Sequence, residues 1–167
     1  MEESPALTDT RLANVSHDVV RHGPVDSLAA AARARGVEPS ALAKTMVVRL
    51  DNDQYVFVLV PGDRAIDWPK LRSVLDVNRL SLPDAETAHE VTGYVRGTIT
   101  PFGSITPWPV YCDERLTSGI VSVGGGAPGV AISISGPDLV EVLDATVADV
   151  TKPSRPIDPE QKAATPQ

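Results

Sequence analysis

The 167-residue chain holds one cysteine, three histidines and 4% aromatic side chains, and each shortage removes a class of protein. A single cysteine, Cys112, leaves no partner for an internal disulfide and no cysteine-rich zinc site. No apolar run approaches the roughly 20 residues of a membrane-spanning helix. The opening MEESPALTDTRLANV is acidic and lacks the apolar stretch of a secretory signal, so a soluble cytoplasmic protein is expected. Positive charge is also in short supply, with 15 Lys and Arg against 22 Asp and Glu and a net charge of −7. Such a chain lacks the electrostatic footprint needed to grip DNA or long RNA by its phosphates. A protein that takes one nucleotide end into a pocket remains open to it.

The familiar catalytic signatures are missing too. The chain has no G-x-S-x-G elbow, no P-loop, and no G-x-G-x-x-G opening a helix after a strand. His17, His22 and His89 never stand at metal-ligand spacing with one another, so neither metal nor cofactor is expected. Cys112 lies in VYCDE, where Asp113 and Glu114 raise a thiol's pKa and disfavour the thiolate a nucleophile needs. The sequence reads it as a buried structural thiol.

What is present is aliphatic. Hydrophobic residues make up 42% of the chain, and valine alone occurs 22 times, which suits a pleated, half-buried sheet. One domain is expected over residues 11–151, with flexible tails at 1–10 and at 152–167, the latter holding four prolines. A helix is predicted from Pro24 to Gly36, with proline in its first turn and glycine beyond its end. Thr45 to Leu50 and Gln54 to Val60 read as a β-hairpin turning at Asp51-Asn52-Asp53. Asp67 is placed to cap a helix from Pro69 to Asp76, and Pro83-Asp84 opens another that Gly93 ends. Strands follow at Pro109–Cys112, Ile120–Val123 and Val130–Ile134, then a helix from Pro137 and a last strand over Thr146–Val150. The sum is an α+β fold: a mixed, curled or barrel-like β-sheet of about seven strands with helices packed around it.

Three places could carry chemistry. Lys44 stands in Ala43-Lys44-Thr45-Met46, at the junction of a helical turn and an apolar strand. Its ammonium must snorkel to water or enter a polar pocket, where it would suit a phosphate or a developing oxyanion. The loop Gly97-Thr98-Ile99-Thr100-Pro101-Phe102-Gly103 has glycines that permit close backbone approach, and it reads equally well as an ordinary bent connection. Gly124-Gly125-Gly126 is a hairpin turn or a backbone wall beside a ligand.

These segments, in this order, resemble the YbaK/ProX family of aminoacyl-tRNA deacylases. The family is related to the editing domain inserted in bacterial prolyl-tRNA synthetases. The likeness rests on Ala43 to Val48, Thr92 to Gly103 and Val121 to Gly126, and it runs from about Pro24 to Val150. It implies a barrel-like mixed sheet and hydrolysis of a wrongly attached amino acid from the 3′ CCA end of tRNA, with prolyl-tRNA synthetase a possible partner. By motif match, Lys44 is the family's catalytic pocket lysine, holding the terminal nucleotide and the ester. Gly97, Thr98, Ile99, Thr100 and Pro101 form its G-x-x-x-P loop, expected to position the aminoacyl group, and Gly124 and Gly125 would line the pocket. Lys44 followed by Thr45 looks more like the cysteine-type deacylases than the alanine-type ones. In such a family the substrate itself can supply the attacking group, which suits a chain without a triad.

The segment Asn14 to His22 matches the longer family members poorly and assigns no pocket residues. The expected function is a stand-alone deacylase of Cys-tRNA(Pro) or Ala-tRNA(Pro). Two rivals are a non-catalytic module that binds a tRNA end or a synthetase, and a hydrolase of another small ester or nucleotide.

Overall fold

The computed structural model describes residues 4–154. Its first half runs β1 (Asp18–Arg21), α1 (Leu28–Arg35), β2 (Ala43–Leu50), β3 (Tyr55–Pro61), β4 (Arg64–Ile66), α2 (Trp68–Leu75), β5 (Leu80–Ser81) and α3 (Ala85–Thr92). The second half runs β6 (Val110–Asp113), β7 (Ile120–Gly124), β8 (Val130–Ser135), α4 (Gly136–Leu143), β9 (Thr146–Ala148) and β10 (Thr151–Pro153).

Each helix begins where a short polar side chain can satisfy a free amide. Ser27, Asp67, Asp84 and Ser135 accept from the backbone N–H groups of Ala30, Lys70, Thr87 and Asp138. The first of these shifts a boundary. The helix expected from Pro24 starts at Leu28, because the Ser27 cap and not the proline defines its first turn.

The sheet is mixed, as expected, and it is not closed: its strands pair in three groups. Five strands pair in the order β5-β2-β3-β6-β9, antiparallel across β2 and parallel from β3 to β9. β1, β8 and β7 form an antiparallel three-stranded sheet, and β10 pairs with β4. Four strands were not expected from sequence: β1, β4, β5 and β10 have two to four residues each, too short for a periodic signal. β3 is buried along its whole length, so it reads as an unbroken apolar run and not an alternating one. Phe57 and Leu59 face a core shared with β7, β8 and α4, while Val56, Val58 and Val60 face α2, Ile66 and Val150. The sheet is therefore covered on both faces, which fixes the side to which each β2 residue points.

The ends of the domain also differ from the expectation. Residues Pro5–Thr8 form a 3-10 turn with Ala6 fully buried, and Leu12 belongs to the same core. At the other end β10 extends the packed region to Pro153, and the rest of the expected C-terminal tail lies outside the described residues.

Candidate functional site

A cavity of about 340 Å³ opens beside the first half of β2. Strand pairing creates it. β3 pairs along one side of β2 from Ala43 to Arg49, but β5 reaches only Arg49 and Leu50 on the other. The amide of Leu50 donates to the Gln54 carbonyl, so alternation turns the backbone polar groups of Thr45 and Val47 toward the open side. Beyond them a single bridge joins Leu42 to Ser122. The open edge is walled by Leu28, Ala31 and Arg35 of α1, and by Leu82, Pro83 and Ala85 at the start of α3. Arg96, Gly97 and Ile99 close it together with Gly124.

Lys44 and Thr45 both line this cavity, from opposite faces of the strand. Lys44 is half-buried, and its Nζ donates to the Arg64 carbonyl at 2.7 Å. Burial lowers its pKa from the ordinary lysine value, an effect that the nearby Asp63 charge partly offsets. One ammonium hydrogen is thus engaged, and two donors remain. The Thr45 hydroxyl is buried and has no hydrogen-bond partner within the protein. Three cations, Arg35, Lys44 and Arg96, line the cavity, and no Asp or Glu does. In a chain of net charge −7 this is a local reversal of sign.

The loop from Gly97 to Gly103 divides into two parts. Gly97 and Ile99 face the cavity, whereas Thr98, Thr100 and Pro101 are not among its walls. Thr98 closes a turn, its amide and hydroxyl both donating to the Val95 carbonyl. Thr100 is fully buried, and its hydroxyl has no partner. The far end is held by packing, with the Tyr94 hydroxyl donating to the Phe102 carbonyl at 2.7 Å.

The glycine turn also serves two purposes. A Cβ at Gly124 would stand 3.3 Å from the Ile99 carbonyl oxygen, so the missing side chain lets the turn and the loop meet beside the cavity. Gly125 does not reach it. A Cβ there would stand 2.6 Å from Val130 Cγ1, and its amide donates to the Val130 carbonyl, which places it inside the β7–β8 hairpin.

Arg35, Arg96 and the α1 wall were not picked out from sequence. An arginine in a helix's last turn reads as a dipole-complementing surface residue. The signal that could have found the wall is the alanine run Ala29 to Ala32, whose small side chains leave room beside the sheet. Cys112 is fully buried, and burial together with Asp113 pushes its thiol pKa up to about 12. Among the described residues no group of three or more His, Cys, Asp or Glu is placed to hold a metal ion, and no helix is long and apolar enough to cross a membrane.

Residues 22–142 match the model of the aminoacyl-tRNA editing domain, and the chain belongs to that family. An Enterococcus faecalis protein named "Putative Cys-tRNA(Pro)/Cys-tRNA(Cys) deacylase EbsC" is 23% identical over 121 residues, covering 72% of this chain and 74% of that one. The proline–tRNA ligase of Caldicellulosiruptor saccharolyticus is 39% identical over 80 residues, 48% of this chain but only 14% of the ligase. A solved structure titled "Crystal structure of a putative trans-editing enzyme for prolyl tRNA synthetase" superposes with a TM-score of 0.78 at 25% identity. It covers 91% of this chain and 99% of the other. The mixed α+β architecture is that of the editing-domain fold.

Proposed function

We propose that the protein is a stand-alone aminoacyl-tRNA deacylase that hydrolyses mischarged tRNA, with Cys-tRNA(Pro) preferred over Ala-tRNA(Pro). The observation that carries this reading is the cavity at the open edge of β2, lined by three cations and no carboxylate, with the unpartnered hydroxyl of the lining residue Thr45 buried beside it. A tRNA 3′ end brings phosphate, ribose hydroxyls and an ester to such a site. Lys44 would hold the ester-bearing nucleoside with its two free donors. The open backbone groups of Thr45 and Val47, with the Thr45 hydroxyl, would orient the aminoacyl group.

No protein nucleophile is invoked, since the one thiol is buried and protonated at neutral pH. A cysteinyl ester carries its own thiol, whose sulfur attacks the ester carbonyl and expels the ribose hydroxyl; the resulting cyclic thioester then takes up water. The protein contributes orientation and charge stabilisation, and one lost donor of this kind typically costs about 3–4 kcal/mol of barrier. Acting on the 3′ end alone would suit a chain whose overall charge repels the tRNA body, and prolyl-tRNA synthetase could supply the remaining grip.

The test compares Cys-, Ser- and Ala-tRNA(Pro) side by side at equal concentration. The cysteine form should be cleared fastest and the serine form slowly even though it fits, because a pocket alone separates such small side chains by only about 1–3 kcal/mol. Equal rates for cysteine and serine would remove the thiol from the mechanism, and alanine cleared fastest would overturn the substrate assignment.

A further inference from the structure

Arg35 is the residue of the cavity that its helix position does not explain. It occupies the last turn of α1, one residue before the left-handed Gly36, where an arginine ordinarily extends into water. Here the side chain lines the cavity instead. Its Nε is shut off from solvent and has no acceptor. Its Nη1 reaches only the Ser122 hydroxyl, at 3.5 Å, the outer limit of a hydrogen bond. Among the described residues no carboxylate forms an ion pair with it. Taking a guanidinium out of water without a counter-charge is unfavourable, and burial lowers its pKa accordingly.

We propose that Arg35 is a phosphate-binding residue of this cavity, taking the phosphodiester next to the terminal nucleoside while Lys44 serves the nucleoside that bears the ester. The inference rests on reading the cavity as the site for a tRNA 3′ end. The chemistry of the ligand selects the phosphate. An amino acid held as an ester has no free carboxylate, so the anion that a charged 3′ end brings is its phosphodiester. The two Nη groups of a guanidinium present a planar fork that matches two phosphate oxygens, a geometry an ammonium cannot supply. Arg96, exposed on the loop across the cavity, adds a second positive charge at the mouth.

The full chain, as wild type and as Arg35→Gln, Arg35→Lys and Ser122→Ala, is titrated with a fluorescent 5′-ACCA-3′ oligonucleotide over a salt series. The same titration is run with an oligonucleotide whose last phosphodiester is a neutral methylphosphonate. Arg35→Gln should weaken binding of the natural oligonucleotide about tenfold, the lower end expected for a hydrogen bond to a charged group. Its log–log salt slope should become shallower by about 0.7, one phosphate contact on a single strand. The methylphosphonate should cost the wild type a similar factor and cost Arg35→Gln almost nothing further. Arg35→Lys should recover the salt slope but only part of the affinity, and Ser122→Ala should bind like wild type. Unchanged binding by Arg35→Gln, or losses that simply add, would overturn the proposal. So would an equal loss in Ser122→Ala, which would make Arg35 a brace between α1 and β7. Deacylation of Cys-tRNA(Pro) is measured in parallel. Arg35-dependent phosphate binding without turnover would keep the proposal and reject the deacylase reading, and turnover with Arg35-independent binding would do the reverse.

Discussion

The backbone amide of Gly103 donates to the Asp9 carboxylate at 2.8 Å, tying the far end of the cavity loop to the N-terminal segment. Arg11 completes the clasp. It pairs with Asp9 at 2.7 Å, donates to the Pro101 carbonyl at 3.3 Å, and lies over the Phe102 ring. A Cβ at Gly103 would stand 2.4 Å from the Pro5 backbone, so the two segments touch directly. The loop that forms one wall of the site is thereby fixed from the side away from it.

Asp9→Ala should therefore cost about 1.5–3 kcal/mol of stability, the range for losing hydrogen bonds to a charged group. It should also lower kcat/KM, because the loop's position depends on the clasp. Burial alone would raise the Asp9 pKa, but hydrogen bonds from the Arg11 side chain and from the amides of Arg11 and Gly103 outweigh it and leave the carboxyl below its ordinary 3.8. A carboxyl depressed in the folded state stabilises fully above its unfolded pKa and loses that contribution as pH falls through the folded value. Urea unfolding across pH should show the wild type and Asp9→Ala differing most above 3.8 and converging below it.

The clasp also marks where sequence reasoning stopped. The β2–β3 hairpin, the helix caps at Asp67 and Asp84 and the Gly93 terminator are local signals, legible because each is written in adjacent residues. Lys44, Gly97, Ile99 and Gly124 were singled out by motif, and the fold gathers them with Thr45 around one cavity. Asp9 and Gly103 are 94 positions apart, and no local pattern announces a hydrogen bond between them. Arg35 was missed for a related reason: which way a side chain turns at a helix end depends on the room left beside it, here by alanines on α1 and the unpaired edge of β2. Gly125 illustrates the opposite case, a glycine adjacent to a site residue that is required by its own hairpin.

Thr45→Val separates a ligand-binding hydroxyl from a structural one. The buried Thr45 hydroxyl has no partner, so replacing it with a methyl of similar shape removes an uncompensated polar group. Thermal stability should hold or rise, while kcat/KM for the mischarged tRNA falls about tenfold, the loss of roughly one hydrogen bond of 1.4 kcal/mol. A variant that melts earlier and keeps its activity would give the hydroxyl a structural role.

Cys112→Ala should keep most of the activity. With a pKa pushed up to about 12 and no exposure to solvent, the thiol is neither ionised nor reachable. The change deletes a buried sulfur, and a stability loss of about 1–2 kcal/mol is expected from the small cavity left behind. Mass spectrometry of protein quenched during turnover should find no adduct at Cys112, and an adduct there would restore a cysteine mechanism.

The most direct measurement is turnover of Cys-tRNA(Pro) by the purified chain beside its Lys44→Ala variant. Lys44 is half-buried with its ammonium on the Arg64 carbonyl and belongs to neither apolar core, so its truncation removes a charged end and not a core side chain. The wild type should release cysteine at a rate proportional to enzyme concentration. Lys44→Ala, with an unchanged circular dichroism spectrum, should turn over about a hundredfold to a thousandfold more slowly than the wild type, the effect of losing one electrostatic donor. Wild-type protein that leaves the ester intact, or a folded Lys44→Ala that clears it as fast as the wild type, would contradict the account.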